Sequence, residues 1–269
     1  LSSFFRDTDV RPVLLTGSTP KKERTAILEA LADGSAPIAV GTHALLSEGV
    51  TFSRLGLAVT DEQHRFGVAQ RSALAGKGDS PHLLVMSATP ISRTLALMIY
   101  GDLDLSILDE LPPGRTPVLT YAITSDKRPR ALNFLRRHAA EGRQSYIICP
   151  MIDEGGDDRA SVTQYAARLR EEDLPGLRIG ELHGRMKSAE KDAVMSRFAA
   201  GELDVLVSTT VVEVGVDVPN AAVMMIENAE RYGLSQLHQL RGRVGRGSQQ
   251  SYCILVTDAQ NQEALSRMK

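Results

Sequence analysis

Tryptophan is absent from this 269-residue sequence, and cysteine occurs only twice. Cys149 and Cys253 lie far apart, each within an apolar run, which argues against a disulfide framework and a cysteine-rich zinc site. Long apolar runs are missing as well, since none approaches the roughly 18 residues that a membrane-spanning helix needs. We therefore expect two buried thiols in a protein of the reducing cytoplasm, without a membrane partner.

A strong charge of either sign is also lacking, because 31 Lys and Arg residues nearly balance 33 Asp and Glu residues and leave a net charge of −2. Any surface that binds nucleic acid must therefore be a local one. What is present is an ordinary globular composition, 42% hydrophobic and 24% charged. At this length it suffices for about two domains, each with its own core.

Short apolar runs predict β-strands at residues 13–16, 38–41, 57–60, 83–86, 118–121, 145–149, 177–180, 205–208, 222–227 and 252–257. Helices are predicted between them, including 20–32 with Thr19 as N-cap and Gly34 after its end, and 188–199 with Ser188 as N-cap. This alternation is typical of an α/β fold with parallel sheets covered on both faces. We expect functional groups at the carboxyl ends of the strands.

Residues 111–117, LPPGRTP, interrupt the alternation with three prolines and a glycine. Proline at this density disfavours both a helix and a central strand. We interpret the segment as the hinge between two domains, residues 1–112 and 113–269. A long turn inside one domain is the alternative.

Asp61 and Glu62 stand side by side directly after the apolar run LAVT. Adjacent carboxylates at a strand end fit a Mg²⁺–nucleotide site, in which one holds the metal and the next orients or deprotonates the attacking water. A solvated turn is an equally good interpretation of the spacing alone. A zinc protease is excluded, because Glu62 precedes His64 in EQH and the pattern H-E-x-x-H is missing.

Ser87 and Thr89 follow the next apolar run, in MSATP. If the two strand ends are neighbours, these hydroxyls can hydrogen-bond Gln63 or His64 and sense what the carboxylates hold. Capping of a helix that begins near Pro90 is the alternative.

Arg241, Arg243 and Arg246 alternate with glycines in QLRGRVGRG, between a helical segment and an apolar strand. Glycine lets a backbone approach a ligand closely, and guanidinium groups suit phosphate recognition. The pattern favours a phosphate-binding loop over a merely basic exposed loop.

Thr209 and Thr210 end another apolar run, and Gly215 and Asp217 follow in STTVVEVGVDVPNA. Threonine hydroxyls and free backbone N–H groups suit contact with nucleic-acid phosphates. Asp217 can bind a ribose hydroxyl or orient an arginine of the other domain. A strand-rich connector with ordinary turn chemistry is the alternative.

In this order, DEQH, SAT, the threonine-rich segment and QLRGRVGR resemble motifs II, III, V and VI of superfamily 2 helicases. DEQHRFGVAQR, MSATPISRTLA, GDLDLSILDELPPGR and IENAERYGLSQLHQLRGRVGRG resemble more closely the RecG family of ATP-dependent DNA branch-migration helicases. The similarity extends from about Val13 to Val256. The nearest alternative is the transcription-repair coupling translocases, in which DEEQ or DEEH is expected instead of DEQH.

The resemblance implies two RecA-like lobes with ATP and Mg²⁺ bound between them. In lobe one, Asp61 resembles the Mg²⁺ ligand and Glu62 the catalytic base. The residues that would couple hydrolysis to the rest of the motor are Gln63, His64, Ser87 and Thr89.

In lobe two, Arg243 and Arg246 resemble the arginines that reach the phosphates, whereas Gly215, Asp217 and Gln239 match positions near the nucleotide. The positions that resemble DNA contacts are Thr16, Gly17, Ser18, Thr42, His43, His183, Arg185, Thr209 and Thr210.

The phosphate-binding loop G-x-x-x-x-G-K-[ST] is missing, because the only Gly-Lys pair, Gly76-Lys77, is followed by Gly78. We therefore expect a piece of a longer protein, with an incomplete lobe one that exposes apolar faces. This piece should bind ATP weakly and hydrolyse little of it. Lobe two, from about residue 114, should fold alone.

The function expected of the parent protein is ATP-driven translocation on double-stranded DNA at replication forks and Holliday junctions. Branched or double-stranded DNA and a single-strand DNA-binding protein are the expected partners of a monomer. A transcription-repair translocase and a non-catalytic DNA-binding fragment are the alternatives.

Overall fold

The structure is a computed structural model, and it describes residues 4–61, 76–87, 104–110, 112–150, 158–209 and 217–259. The chain divides into two compact units, Leu1–Pro90 and Ile91–Lys269. This division falls before the proline-rich segment that we interpret as a hinge. The carbonyl of Pro117 accepts a hydrogen bond from the Gln250 side chain at 2.8 Å, so that end of the segment is fastened to the second unit.

The described part of the first unit contains two separate parallel pairs of strands. Strands β1 (Val13–Leu15) and β2 (Ala39–Gly41) pair with each other, and β3 (Leu57–Thr60) pairs with β4 (His82–Val85). Helix α1 (Lys21–Asp33) follows β1, and a short 3₁₀ helix, His43–Leu46, follows β2.

The core of the first unit is small. Leu15, Ile27, Leu31 and Val50 form its buried cluster. Several apolar strand residues are instead exposed, among them Leu14, Leu57, Val59 and Leu84. These bare faces agree with the expectation of an incomplete lobe one, since strands of a complete parallel sheet are buried on both faces.

The ends of α1 and of helix 188–199 differ in part from the sequence prediction. Gly34 ends α1 in the left-handed conformation, with φ 83°, as predicted. Thr19 does not cap α1, because its hydroxyl accepts the N–H of Thr16 at 2.9 Å and closes a turn instead. The N-cap of the second helix is Lys187, whose backbone N–H is accepted by Glu190, so Ser188 is the first helical residue.

The second unit is an α/β layer structure with one six-stranded sheet, in the order β5-β10-β9-β6-β8-β7. All of its strand pairs are parallel. Its strands are β5 (Leu119–Ile123), β6 (Gln144–Ile148), β7 (Ile179–Leu182), β8 (Val205–Ser208), β9 (Ala221–Ile226) and β10 (Tyr252–Val256). Its helices are α2 (Arg128–Ala140), α3 (Asp158–Arg168), which continues as a π-helical turn over Leu169–Asp173, α4 (Ser188–Ala199) and α5 (Leu234–Arg241).

Helices cover this sheet on both faces. Successive strand residues point to opposite sides of the sheet, so each strand contributes side chains to the core on either face. On one face, Ile147 packs with Leu132 and Leu135 of α2. On the other, Tyr146 packs with Phe198 of α4 and Leu240 of α5. The predicted strands are confirmed to within two residues at each end, and the predicted α/β fold is confirmed.

Both cysteines are buried and free. Burial raises the pKa of each thiol to about 12, so both stay protonated at neutral pH. None of the helices in the described ranges has the length and apolar character that crossing a membrane requires.

Candidate nucleotide and DNA sites

Asp61 and Ser87 lie at neighbouring strand ends of the first unit. Thr60 is paired with Val85 in the β3–β4 register, and the N–H of Met86 donates to the carbonyl of Thr60 at 2.8 Å. Asp61 and Ser87 therefore emerge at the same sheet edge, and both are exposed. Their predicted neighbours Glu62, Gln63, His64 and Thr89 lie outside the described residues, so their roles stay predictions.

The surroundings of Asp61 fit a magnesium ion that takes few protein ligands. Within the described ranges no group of three His, Cys, Asp or Glu side chains is placed to hold a metal. Mg²⁺ at nucleotide sites usually keeps several waters and is held by one or two carboxylates and the phosphates. A single exposed carboxylate at a strand end meets that requirement.

A turn rich in hydroxyl groups follows β1. The Thr16 hydroxyl lies 3.0 Å from that of Ser18 and 3.2 Å from that of Thr19. Gly17 and Ser18 are exposed, and a Cβ atom built at Gly17 would meet nothing within 4 Å. The turn is thus preformed and open to a ligand.

The ends of β1 and β2 bring this turn near the second predicted segment. Leu15 is paired with Gly41, and the N–H of Thr42 donates to the carbonyl of Leu15 at 3.3 Å. Thr42 and His43 are exposed at that edge. The first five predicted DNA contacts therefore cluster at one edge of the β1–β2 pair.

Lys77 has a structural role. Its ammonium group donates to the backbone carbonyls of Ser47 and Val50, each at 2.8 Å. These bonds fix a loop of the first unit, in agreement with the interpretation that Gly76-Lys77 is not a phosphate-binding loop.

The arginine loop, residues 241–247, follows α5 in the second unit. Arg246 forms an ion pair with Asp217 at 3.4 Å and donates through Nε to the carbonyl of Gly242 at 3.1 Å. Arg243 and Gln239 are half-buried beside it. One interpretation of the sequence is that Asp217 orients an arginine of the other domain. In the structure Asp217 instead pairs with Arg246, an arginine of its own unit.

Two glycines of this loop serve packing within the protein. Gly245 has φ 77°, and a Cβ there would lie 2.6 Å from a methyl carbon of Val118. A Cβ at Gly247 would lie 2.6 Å from the carbonyl oxygen of Pro219. At Gly245 and Gly247 the protein itself therefore occupies the space of a side chain, whereas approach of a ligand to their backbone stays a prediction.

The same contacts place the loop at the amino edge of the sheet. Val118 precedes β5, Pro219 precedes β9, and the loop itself leads into β10 at Tyr252. Since all these strands are parallel, their beginnings share one edge. The arginines stand before a strand, so if their predicted role is right they depart from the expectation that functional groups gather at the carboxyl ends.

The carboxyl edge of the same sheet carries the predicted DNA contacts of lobe two. Leu182 is paired with Ser208, so His183 and Thr209 follow neighbouring strand ends. Both side chains are buried, and His183 Nδ1 and Thr209 Oγ1 find no hydrogen-bond partner in the described part of the chain. Arg185 next to them is exposed. Thr210 and Gly215 lie outside the described residues.

A buried carboxylate at this edge was missed by the sequence reasoning. Glu227 follows β9, is 3% exposed, and accepts hydrogen bonds from Arg128 and from the Tyr165 hydroxyl, each at 2.5 Å. Burial and then the charge of Glu227 raise the pKa of Tyr165, so this hydroxyl stays a donor. The signal was present, because Glu227 ends an apolar run just as Asp61 does.

Comparison with known proteins shows what this chain resembles. Residues 126–248 match the helicase conserved C-terminal domain. The chain is 57% identical over 257 residues to the ATP-dependent DNA helicase RecG of Synechocystis sp. and 48% identical over 270 residues to that of Bacillus subtilis. These matches cover 95% and 100% of the chain. The chain is thus similar to RecG helicases over nearly its whole length.

Solved structures agree with this similarity to RecG. A structure of RecG bound to a three-way DNA junction matches 99% of the chain with a TM-score of 0.75 and 45% identity. Yeast Dbp5 bound to RNA and ADP BeF₃ matches with a TM-score of 0.68 at 16% identity, which shows a shared helicase fold. The chain spans 31% and 40% of the two RecG sequences and 34% of the solved RecG chain.

Proposed function

We propose that this RecG-family chain is part of an ATP-dependent motor that moves along double-stranded DNA and remodels replication forks and Holliday junctions. The observation that carries the proposal is the 45% identity, over 99% of the chain, to a RecG structure bound to a three-way DNA junction. The activity belongs to the longer protein. The 269-residue chain alone binds ATP weakly and turns over little of it.

Two sets of residues support a division of labour within the second unit. The arginine loop at the amino edge presents Arg243 and Arg246 to nucleotide phosphates, with Asp217 orienting Arg246 through their ion pair. The carboxyl edge presents Arg185 and backbone groups near Thr209 to DNA phosphates. Separate edges let one unit respond to nucleotide and hold DNA at the same time.

In the first unit we propose that Asp61 holds Mg²⁺ together with water and the phosphates. The bound ion would neutralise charge that develops on the phosphates during hydrolysis. Glu62 is proposed as the base that takes a proton from the attacking water. Thr16, Ser18 and Thr42 would donate or accept hydrogen bonds at DNA phosphates, which gives binding without sequence preference.

DNA binding is tested with Arg185→Ala in the 269-residue chain and a fluorescein-labelled three-way junction, followed by anisotropy over a range of salt concentrations. We expect a weaker complex and a salt dependence reduced by about one phosphate contact. Arg197→Ala is the matched control, because Arg197 is an exposed arginine near the opposite end of α4 and pairs with Glu202 at 3.1 Å. Equal losses in both variants would contradict the assignment of the carboxyl edge.

ATP hydrolysis is tested in a protein of full RecG length that carries this sequence. Arg246→Ala should lower the DNA-stimulated rate about 10³-fold or more, the usual effect of removing a phosphate-stabilising arginine, and Glu62→Ala should abolish hydrolysis while ATP still binds. The 269-residue chain is assayed beside them. Turnover by this chain at the rate of ordinary helicases would show that our view of its nucleotide site is wrong.

We also propose a single-strand DNA-binding protein as a partner, a monomeric state and a cytoplasmic location. Two buried, free thiols favour a reducing compartment. Size-exclusion chromatography with light scattering tests the monomeric state.

A further inference from the structure

A groove of about 480 Å³ lies between the edge strand β5 and helix α2 of the second unit. None of the residues assigned to nucleotide or DNA lines it. Its residues are Tyr121, Ile123, Lys127, Arg130, Ala131, Phe134, Arg137, Tyr252 and Ile254. The volume falls within the range of roughly 300–1,000 Å³ that is usual for ligand-binding clefts.

The floor of the groove is apolar and rigidly packed. Ile254 is buried, and Phe134 meets Tyr252 edge to face with ring centroids 4.9 Å apart. Tyr121 on the strand side is 52% exposed. An apolar side chain placed here would gain contact area without any rearrangement of the floor.

The rim is positively charged. Lys127, Arg130 and Arg137 are all exposed, and the Arg137 guanidinium lies 5.5 Å from the centre of the Phe134 ring. The described lining contains no carboxylate. Three acidic residues are near the lining along the chain. Asp126 stands beside Lys127, Glu141 follows Arg137 by four residues and pairs with Arg143, and Asp258 accepts the Ser125 N–H at 2.8 Å at the end of β5.

The third feature is the open edge of β5. This strand ends the six-stranded sheet and pairs only with β10 among the described strands. An exposed edge offers backbone N–H and C=O groups to a further extended segment.

We propose that this groove binds an extended acidic peptide segment of a partner protein. One apolar side chain of the peptide occupies the floor, its backbone lies along β5, and its carboxylates face Lys127, Arg130 and Arg137. The apolar floor favours a peptide over a nucleic acid, because a sugar–phosphate backbone would leave Ile123 and Ile254 without an apolar partner.

The test uses the 269-residue chain and a fluorescein-labelled eight-residue peptide with a central Phe flanked by Asp and Glu. Anisotropy should show saturable binding that weakens with salt. The double variant Arg130→Glu/Arg137→Glu should raise Kd about tenfold or more. The matched control is Arg136→Glu, on the same helix but outside the lining, and it should leave Kd within about twofold.

Two further peptides separate the apolar contribution to binding from the electrostatic one. Replacement of the central Phe by Ser removes the apolar contact, and replacement of the acids by Lys reverses the charge; each should abolish measurable binding. Circular dichroism of every variant confirms that it is folded, and Tyr121→Ser offers a second, uncharged change that should weaken binding of the Phe peptide.

Three outcomes overturn the proposal. The first is no saturable binding of the acidic Phe peptide to the unmodified chain. The second is a Kd that the Arg130→Glu/Arg137→Glu change leaves unaltered. The third is displacement of the peptide by a labelled DNA oligonucleotide whose own binding is lost in the same variant, which would make the groove a nucleic-acid surface. None of these results depends on ATP hydrolysis or on the junction assay.

Discussion

Glu227 is held inside the second unit by two donors, Arg128 and the hydroxyl of Tyr165. Arg128 keeps a quarter of its side chain exposed, whereas the Glu227 side chain is 4% exposed. The pKa of Arg128 reflects opposing causes: burial lowers it, but the hydrogen bond and charge of Glu227 outweigh burial and raise it. The hydrogen bond and ion pair with Glu227 thus favour the charged form of Arg128 at the carboxyl edge of the sheet.

Removal of one partner from this pair should be costly. We expect Arg128→Met to lower the free energy of unfolding by about 3 kcal/mol, because it leaves a buried carboxylate without its cation. The double variant Arg128→Met/Glu227→Gln should regain part of that loss, since no buried charge remains. Urea unfolding followed by circular dichroism measures both; a double variant less stable than the single one would contradict this account.

His138 gives the second unit a dependence on pH. Burial, and then the charge of Arg143, lower the pKa of this imidazole below 6.5, with Glu141 acting the other way. The folded pKa lies below the unfolded one, so the neutral ring contributes stability that is present above about pH 6.5. That contribution is lost as pH falls below this value, because the unfolded state then binds the proton more readily.

The free energy of unfolding should be lower at pH 5.5 than at pH 7.5. The part due to His138 is at most about 1.4 kcal/mol for each pH unit by which folding lowers the pKa of this imidazole. His138→Gln should reduce this dependence, since glutamine does not titrate. Urea titrations at several pH values give the difference in free energy of unfolding between the unmodified chain and the His138→Gln variant. If that difference is the same at pH 5.5 and 7.5, His138 is not responsible.

At the scale of elements, the arginine loop depends on glycines that are not equivalent. Gly245 needs a positive φ and has Val118 where a side chain would go, whereas a Cβ at Gly242 would lie at ordinary contact distance, 3.4 Å from backbone oxygens. Of these two glycines, only Gly242 therefore tolerates a methyl group. Its shape, and with it the position of Arg243 and Arg246, is set by contacts with the starts of β5 and β9.

We expect Gly245→Ala to destabilise the second unit by about 1–3 kcal/mol, the usual cost of forcing a residue into such a conformation, with a further loss from the clash. Gly242→Ala is the matched control in the same loop and should change stability by less than about 1 kcal/mol. Thermal unfolding compares them. Equal midpoints for the two variants would show that the loop is not fixed by this packing.

At the scale of the whole molecule, the two units differ in how much they bury. Among the residues that the structure describes, the second has two extensive clusters, one on each face of its sheet, whereas the first has a single small cluster and several exposed apolar strand residues. Burial of apolar surface is the main favourable contribution to folding. The second unit should therefore be the more stable one.

This difference predicts that residues 113–269, expressed alone, unfold in one cooperative transition. In the 269-residue chain, amide hydrogens of β1 to β4 should exchange faster than those of β6, β8 and β9. Hydrogen exchange with mass spectrometry measures this order. A broad, uncooperative melt of residues 113–269, or the opposite exchange order, would contradict it.

The sequence by itself determined the α/β alternation, the strands to within two residues and the resemblance to RecG, because apolar periodicity and short motifs are local properties of the chain. It also predicted correctly that Asp61 and Ser87 emerge at neighbouring strand ends. It misplaced the caps at Thr19 and Ser188, since a hydroxyl's partner depends on the turn around it.

Only the tertiary structure decided which groups meet. The pairing of Asp217 with Arg246, the burial of Glu227 between Arg128 and Tyr165, and the packing of Gly245 on Val118 all join residues distant in sequence. The same holds for the groove between β5 and α2, whose lining comes from three elements. Strand order fixes such neighbours, and strand order follows from how the helices cover the sheet rather than from any short stretch of sequence.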